Sequence, residues 1–172
     1  MVVVGAITAT VIATSGKAHV AMPASIAGQS QFHNSQTQVL VKGMQDTLKK
    51  QSGVDAVGGF YGTPTQPEFF VVAFDKGLPA NSDLMSGAAS GFGKSLIGSS
   101  GYIDQSSVTK HDVGSVHYEC APYSVQSTSG GSSLSADICM WNDGKTVGMV
   151  MLFDKSLDSL STAESAHGAT TG

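Results

Sequence analysis

His117 and Glu119 stand two residues apart in the stretch VHYEC. On a strand that spacing puts an imidazole and a carboxylate on one face, a pairing used in general acid–base catalysis and at many metal sites. His111 and Asp112 lie just beyond Gly114 and are placed to join such a site across a turn. A zinc deaminase would also need a downstream Pro-Cys-x-x-Cys, which the chain lacks, and His19, His33 and His167 are scattered. The sequence therefore assigns no metal and no cofactor, and leaves His117 and Glu119 as the best acid–base pair it offers.

Other constellations are weaker. GAASGFGKS, from Gly87 to Ser95, ends like a phosphate loop, but the position that needs the first glycine is Ala88, and no strand leads into it. Its small residues suit close helix packing instead. No Gly-x-Ser-x-Gly elbow exists for a serine nucleophile. Asp154 and Asp158 sit where acidic side chains favour the start of a helix. Trp141 offers a ligand platform, but its large buried area suits a core anchor better. Cys120 and Cys139 sit in no Cys-x-x-Cys context, which argues against thiol catalysis.

These residues need a scaffold, and the composition bounds it. The 172 residues suit one domain with a real core. Charged residues make up 13% of the chain, about half the usual share, so polar uncharged side chains must carry its solubility. The net charge is −4, and every basic residue is a lysine. Without guanidinium forks, the bidentate contacts to phosphate and guanine are missing, which excludes nucleic acid as an expected partner. Val2 to Ala13 is apolar, too short to cross a bilayer and preceded by no basic residue. It reads as a buried strand or as the end of a membrane anchor, and the anchor is the only membrane contact expected. The expected division is an N-terminal apolar segment over 1–22, one domain over 23–165 and a flexible tail over 166–172.

SQTQVLVKGMQDTLKKQSG reads as a helix capped by Asn34 or Ser35, with Leu40 or Val41, Met44 and Leu48 at helical spacing and lysines before Gly53. VDAVGGFYG and EFFVVAFD read as a strand pair. A second helix is expected from Ser82 or Asp83 to Gly98, then strands over SSVTKH, SVHYECAPYSV, LSADICMWN and TVGMVMLF, and a short helix in SLDSLSTAESAHG. The polar stretch AMPASIAGQSQFHN is expected to be irregular. The fold class expected is α+β: an antiparallel sheet of five to six strands with two main helices packed on one face.

CMWNDGKTVGMVML places Asp143-Gly144 between two apolar runs, a hairpin signal because Asp-Gly tolerates positive φ. Along the first run Cys139 and Trp141 share a face, while Ile138, Met140 and Asn142 share the other. With two cysteines in the chain, a Cys120–Cys139 bridge is the economical pairing. Two free buried thiols are the alternative. A bridge implies an oxidising compartment.

The MPASIAG lead-in, the VHYEC strand and above all ADICMWNDGKTVGMV resemble the membrane-anchored extracytoplasmic domains of unknown function of actinobacteria. Their Cys-x-Trp-x-Asp-x-x-Thr-Val-Gly run is matched by Cys139, Trp141, Asp143, Thr146, Val147 and Gly148, with Cys120 as the second cysteine. The resemblance implies a cell-envelope or secreted location and a disulfide-linked C-terminal sheet, and it implies no activity. The functional expectation is a non-catalytic envelope domain binding a small molecule, a wall component or a protein partner, with His117, Glu119 and Trp141 as candidate contacts. The rivals are a small envelope hydrolase using His117 and Glu119, and a purely structural envelope protein.

Overall fold

The computed structural model describes residues 20–80, 82–88, 101–125 and 134–171. Nine antiparallel strands form its frame: β1 (Ser25–Ile26), β2 (Gln29–Phe32), β3 (Ala56–Gly62), β4 (Pro67–Phe74), β5 (Gly101–Ile103), β6 (Thr109–Val113), β7 (Val116–Val125), β8 (Leu134–Asn142) and β9 (Val147–Leu152). Across the sheet they run β1-β2-β3-β4-β9-β8-β7-β5, and β6 pairs with β7 as a second edge segment beside β5. The described helices are α1 (Ser35–Ser52), α2 (Leu84–Gly87) and α3 (Ser159–Thr171).

The expected sheet of five to six strands with two helices on one face is therefore corrected to a sheet-dominated fold of nine strands covered on both faces. Three strands account for the difference. β1 and β2 lie in the polar stretch expected to be irregular, where Ala27 and Gly28 both take positive φ and close a tight hairpin turn. β5 is three residues long and, among the described residues, pairs only with the end of β7. The C-terminal helix packs on the face opposite α1 and α2, and it runs on through the expected tail to Thr171, burying Ala166 and Thr170. Val2 to Ala13, the second helix beyond Ala88, most of GAASGFGKS and the STSGGSS segment lie outside the described residues. Among those described, no helix is long and apolar enough to cross a membrane.

Strand alternation builds the two cores. In β4, Phe70, Val72 and Phe74 meet Met44 and Leu48 of α1 and Leu84 and Met85 of α2. Phe69, Val71 and Ala73 point the other way, toward Ala163 and Ala166 of α3. β9 is buried along its whole length, as a strand covered on both faces must be. In α1, Asn34 and Thr37 form a reciprocal capping box, and Gly53 ends the helix in the left-handed region. Of the two residues proposed for its apolar stripe, Val41 packs on the core while Leu40 stays 56% exposed.

Candidate functional site

Cys120 and Cys139 sit directly opposite each other on β7 and β8 and are joined by a disulfide. The next pair on the same face of the ladder is Tyr118 and Trp141. Trp141 is fully buried and faces Gly148 across the β8–β9 ladder. A methyl group at Gly148 would collide with the indole, so the glycine leaves the space the ring fills. Asp143 accepts from the backbone N–H groups of Lys145 and Thr146, at 2.8 and 2.5 Å, and from the Thr146 hydroxyl at 2.9 Å. Those bonds form a four-residue hairpin loop in which Gly144 has φ 81°. The motif residues thus share one task, building the β8–β9 hairpin.

The same aspartate reaches α3. Its Oδ2 lies 2.9 Å from Nε2 of His167, whose ring meets Trp141 and Tyr118 edge-on at centroid distances of 6.0 and 6.4 Å. Burial pushes the Asp143 carboxyl up, but its hydrogen bonds from His167, Thr146 and Lys145 outweigh this and hold it below the ordinary range. Burial, with the charges of Glu164 and Asp143, pushes Tyr118 up to about 12. Trp141 is buried beneath this arrangement, and its indole N–H has no hydrogen-bond partner among the described residues.

His117 and Glu119 lie on the α2 face of β7, with ring Nε2 3.2 Å from Glu119 Oε1. The β6–β7 register brings Asp112 opposite His117 and Lys110 opposite Glu119. Asp112 Oδ1 is 2.7 Å from His117 Nδ1, and Lys110 Nζ is 2.9 Å from Glu119 Oε1. Glu119 is fully buried, and its other oxygen accepts from the Met85 N–H of α2 at 2.8 Å. Asp83 completes the chain 3.6 Å from Lys110 and caps α2 through the Ser86 N–H. His111, by contrast, stands opposite Tyr118 on the other face.

The electrostatics follow from these contacts. The hydrogen bond to Asp112 raises the His117 pKa; burial opposes it, and the Glu119 contact adds to the rise. The bond to Glu119 raises Lys110. With a carboxylate at each ring nitrogen the imidazolium is favoured, so His117 offers no free lone pair as a general base. Glu119 is likewise engaged at both oxygens. The cluster ties α2 and the β6–β7 hairpin to the sheet around one buried carboxylate. Among the described residues, no group of three or more histidine, cysteine or acidic side chains is arranged to hold a metal ion.

A cleft of about 150 Å³ opens elsewhere, between α1 and the β2–β3 end of the sheet. Phe32, Val41 and Phe60 form its walls, and Thr37, Gln38 and Lys42 stand around it. Phe32 and Phe60 are 6.1 Å apart between ring centroids, and Phe60 and Phe70 4.7 Å. The peptide of Gly58 faces this opening. β2 pairs with β3 only at Tyr61 and Phe60, and the Gln45 side chain donates to the Ala56 carbonyl from the α1 side. Backbone groups two residues apart on a strand point the same way, so the Gly58 N–H and C=O are directed outward beside α1.

Sequence reading missed the cleft because its residues come from a polar stretch, one helix and a glycine-rich strand, none distinctive alone. It also missed Lys110 and Asp83 as partners of Glu119. The signal for Lys110 was present: once Gly114-Ser115 is taken as a two-residue turn, counting outward puts Lys110 opposite Glu119 and Asp112 opposite His117. No protein-family model, curated protein or solved structure matches this chain.

Proposed function

We propose that this chain is a non-catalytic extracytoplasmic domain that binds a small amide-bearing ligand through the cleft between α1 and β2–β3. The observation that carries the reading is the Gly58 peptide, a donor and an acceptor directed into a seat walled by Phe32, Val41 and Phe60. About 150 Å³ admits one aromatic ring or branched alkyl group. A ligand amide beside that group meets the Gly58 N–H and C=O. N-acylated amino acids and short peptides combine these features.

The Cys120–Cys139 bridge supports placement on the oxidising side of a membrane, in the cell envelope or secreted. Attachment through the apolar residues 2–13, as in the actinobacterial domains the sequence resembles, belongs to the same reading. The hydrolase alternative is disfavoured by the His117 ring, which meets a carboxylate at both nitrogens.

Amide-resolved NMR with N-acetylphenylalaninamide and N-acetylleucinamide tests this. Saturable shifts at Gly58, Phe60 and Val41, abolished when Val41→Trp fills the seat, are expected. The absence of saturable shifts at these positions with either compound would overturn the proposal.

A further inference from the structure

β6 is an edge strand whose five residues are all exposed, and among the described residues nothing pairs with its outer side. Such an edge is a template for another strand unless its side chains forbid pairing. The direction of its backbone groups follows from two contacts. The Pro122 carbonyl accepts from the Asp104 N–H on the β5–β6 side of β7, so Cys120 and Tyr118, two and four residues back, also direct their backbone groups toward β6. Their partners His111 and Thr109 point inward. The N–H and C=O groups of Lys110 and Asp112 therefore point outward.

We propose that β6 is a self-recognition edge, pairing antiparallel with β6 of a second copy about a two-fold axis through His111. In that register Lys110 of each copy lies opposite Asp112 of the other, and both residues present their outward backbone groups. Each such pair exchanges two hydrogen bonds, four in all. Opposite charges directly across a ladder attract, while like charges repel. Centring on Lys110 or on Asp112 instead would set two lysines or two aspartates face to face, so charge selects the His111 register. The same register lays Thr109 against Val113, an apolar side chain otherwise 44% exposed. The contact is isologous and closes on itself as a dimer, with the two sheets continuous. It does not depend on the cleft or its ligand.

Sedimentation equilibrium across a concentration series, with circular dichroism to confirm folding, tests the proposal. The wild-type chain is expected to show a monomer–dimer equilibrium, and Asp112→Lys to weaken it about tenfold by turning two attractive pairs repulsive. Lys110→Glu alone should weaken it likewise. Mixing the two variants should restore association, because every pair in the mixed dimer is again of opposite sign. Should Lys110→Glu not fold beside the buried Glu119, His111→Cys decides the matter. Two such residues face each other on the two-fold axis in a non-hydrogen-bonded pair, with Cα atoms about 4.5 Å apart, and should cross-link on mild oxidation. A wild-type chain monomeric throughout the series, or His111→Cys cross-linking no faster than an exposed Ser115→Cys control, would overturn the proposal.

Discussion

Two histidines on opposite faces of the sheet each contact an aspartate, and they serve different ends. His117 lies at the edge between Asp112 and Glu119, in a chain of alternating charges that runs on through Lys110 to Asp83. His167, a residue of α3, meets one carboxylate, Asp143, and two aromatic rings. The first arrangement satisfies a buried carboxylate that reaches α2. The second clips a helix to a hairpin loop whose shape Asp143 already holds through backbone amides. A histidine–carboxylate contact thus identifies neither a catalytic site nor a stable one until the remaining hydrogen bonds of both partners are counted.

The largest effect is expected on the α3 face. Trp141→Ala removes a fully buried indole and should cost about 4 kcal/mol; equilibrium denaturation measures it. A loss below 1 kcal/mol would mean that the clip, and not the ring beneath it, supports that face. Next comes Glu119→Ala, expected to cost about 2 kcal/mol by leaving the buried Met85 N–H without its acceptor. Hydrogen exchange should quicken at Met85 while the Asp143 loop amides stay protected. Equal quickening on both faces would dissolve the distinction drawn between the two clusters. Asp143→Asn keeps an oxygen for the loop amides but weakens the contact with His167, so a cost of about 1 kcal/mol is expected, with faster exchange confined to α3.

Titration gives the smallest and sharpest contrast. The folded His117 pKa is raised above 6.5, so its contribution is fully present below that value and is lost as pH rises through the folded pKa. Asp143 is lowered below 3.8, so its contribution is present above that value and is lost as pH falls through the folded pKa. Stability measured against pH should lose its alkaline-side decline in His117→Gln and part of its acid-side decline in Asp143→Asn. An unchanged profile in His117→Gln would place the His117 contacts outside the stability of the fold.

Much of this was legible from residue order. Asn34, Gly53 and the spacing of Met44 and Leu48 gave α1, and alternation in EFFVVAFD and ADICMW gave the central strands and the shared face of Cys139 and Trp141. The bridge followed from two cysteines on neighbouring strands. The short strands were not legible, because Gln29–Phe32 carries too few apolar residues for a two-residue period to emerge and Gly101–Ile103 is too short to have one. Nor was the second face of the sheet. A short helix was expected in SLDSLSTAESAHG, but Ala163 and Ala166 are too small to mark a packing face, and only the fully apolar β9 hinted that something must cover both sides. Glu119 was singled out for chemistry, but its burial depended on α2, whose docking no local pattern encodes.

The position of β9 has a consequence for the order of events in folding. This strand comes last among the described strands, yet it lies between β4 and β8 at the centre of the sheet. The β3–β4 and β6–β7–β8 units each form from local contacts, but they cannot join until Val147–Leu152 has left the ribosome and closed a loop that reaches back to Phe69–Phe74. The sheet therefore cannot close before this late strand is in place, and its closure is slow because the contacts that complete it join segments far apart in sequence.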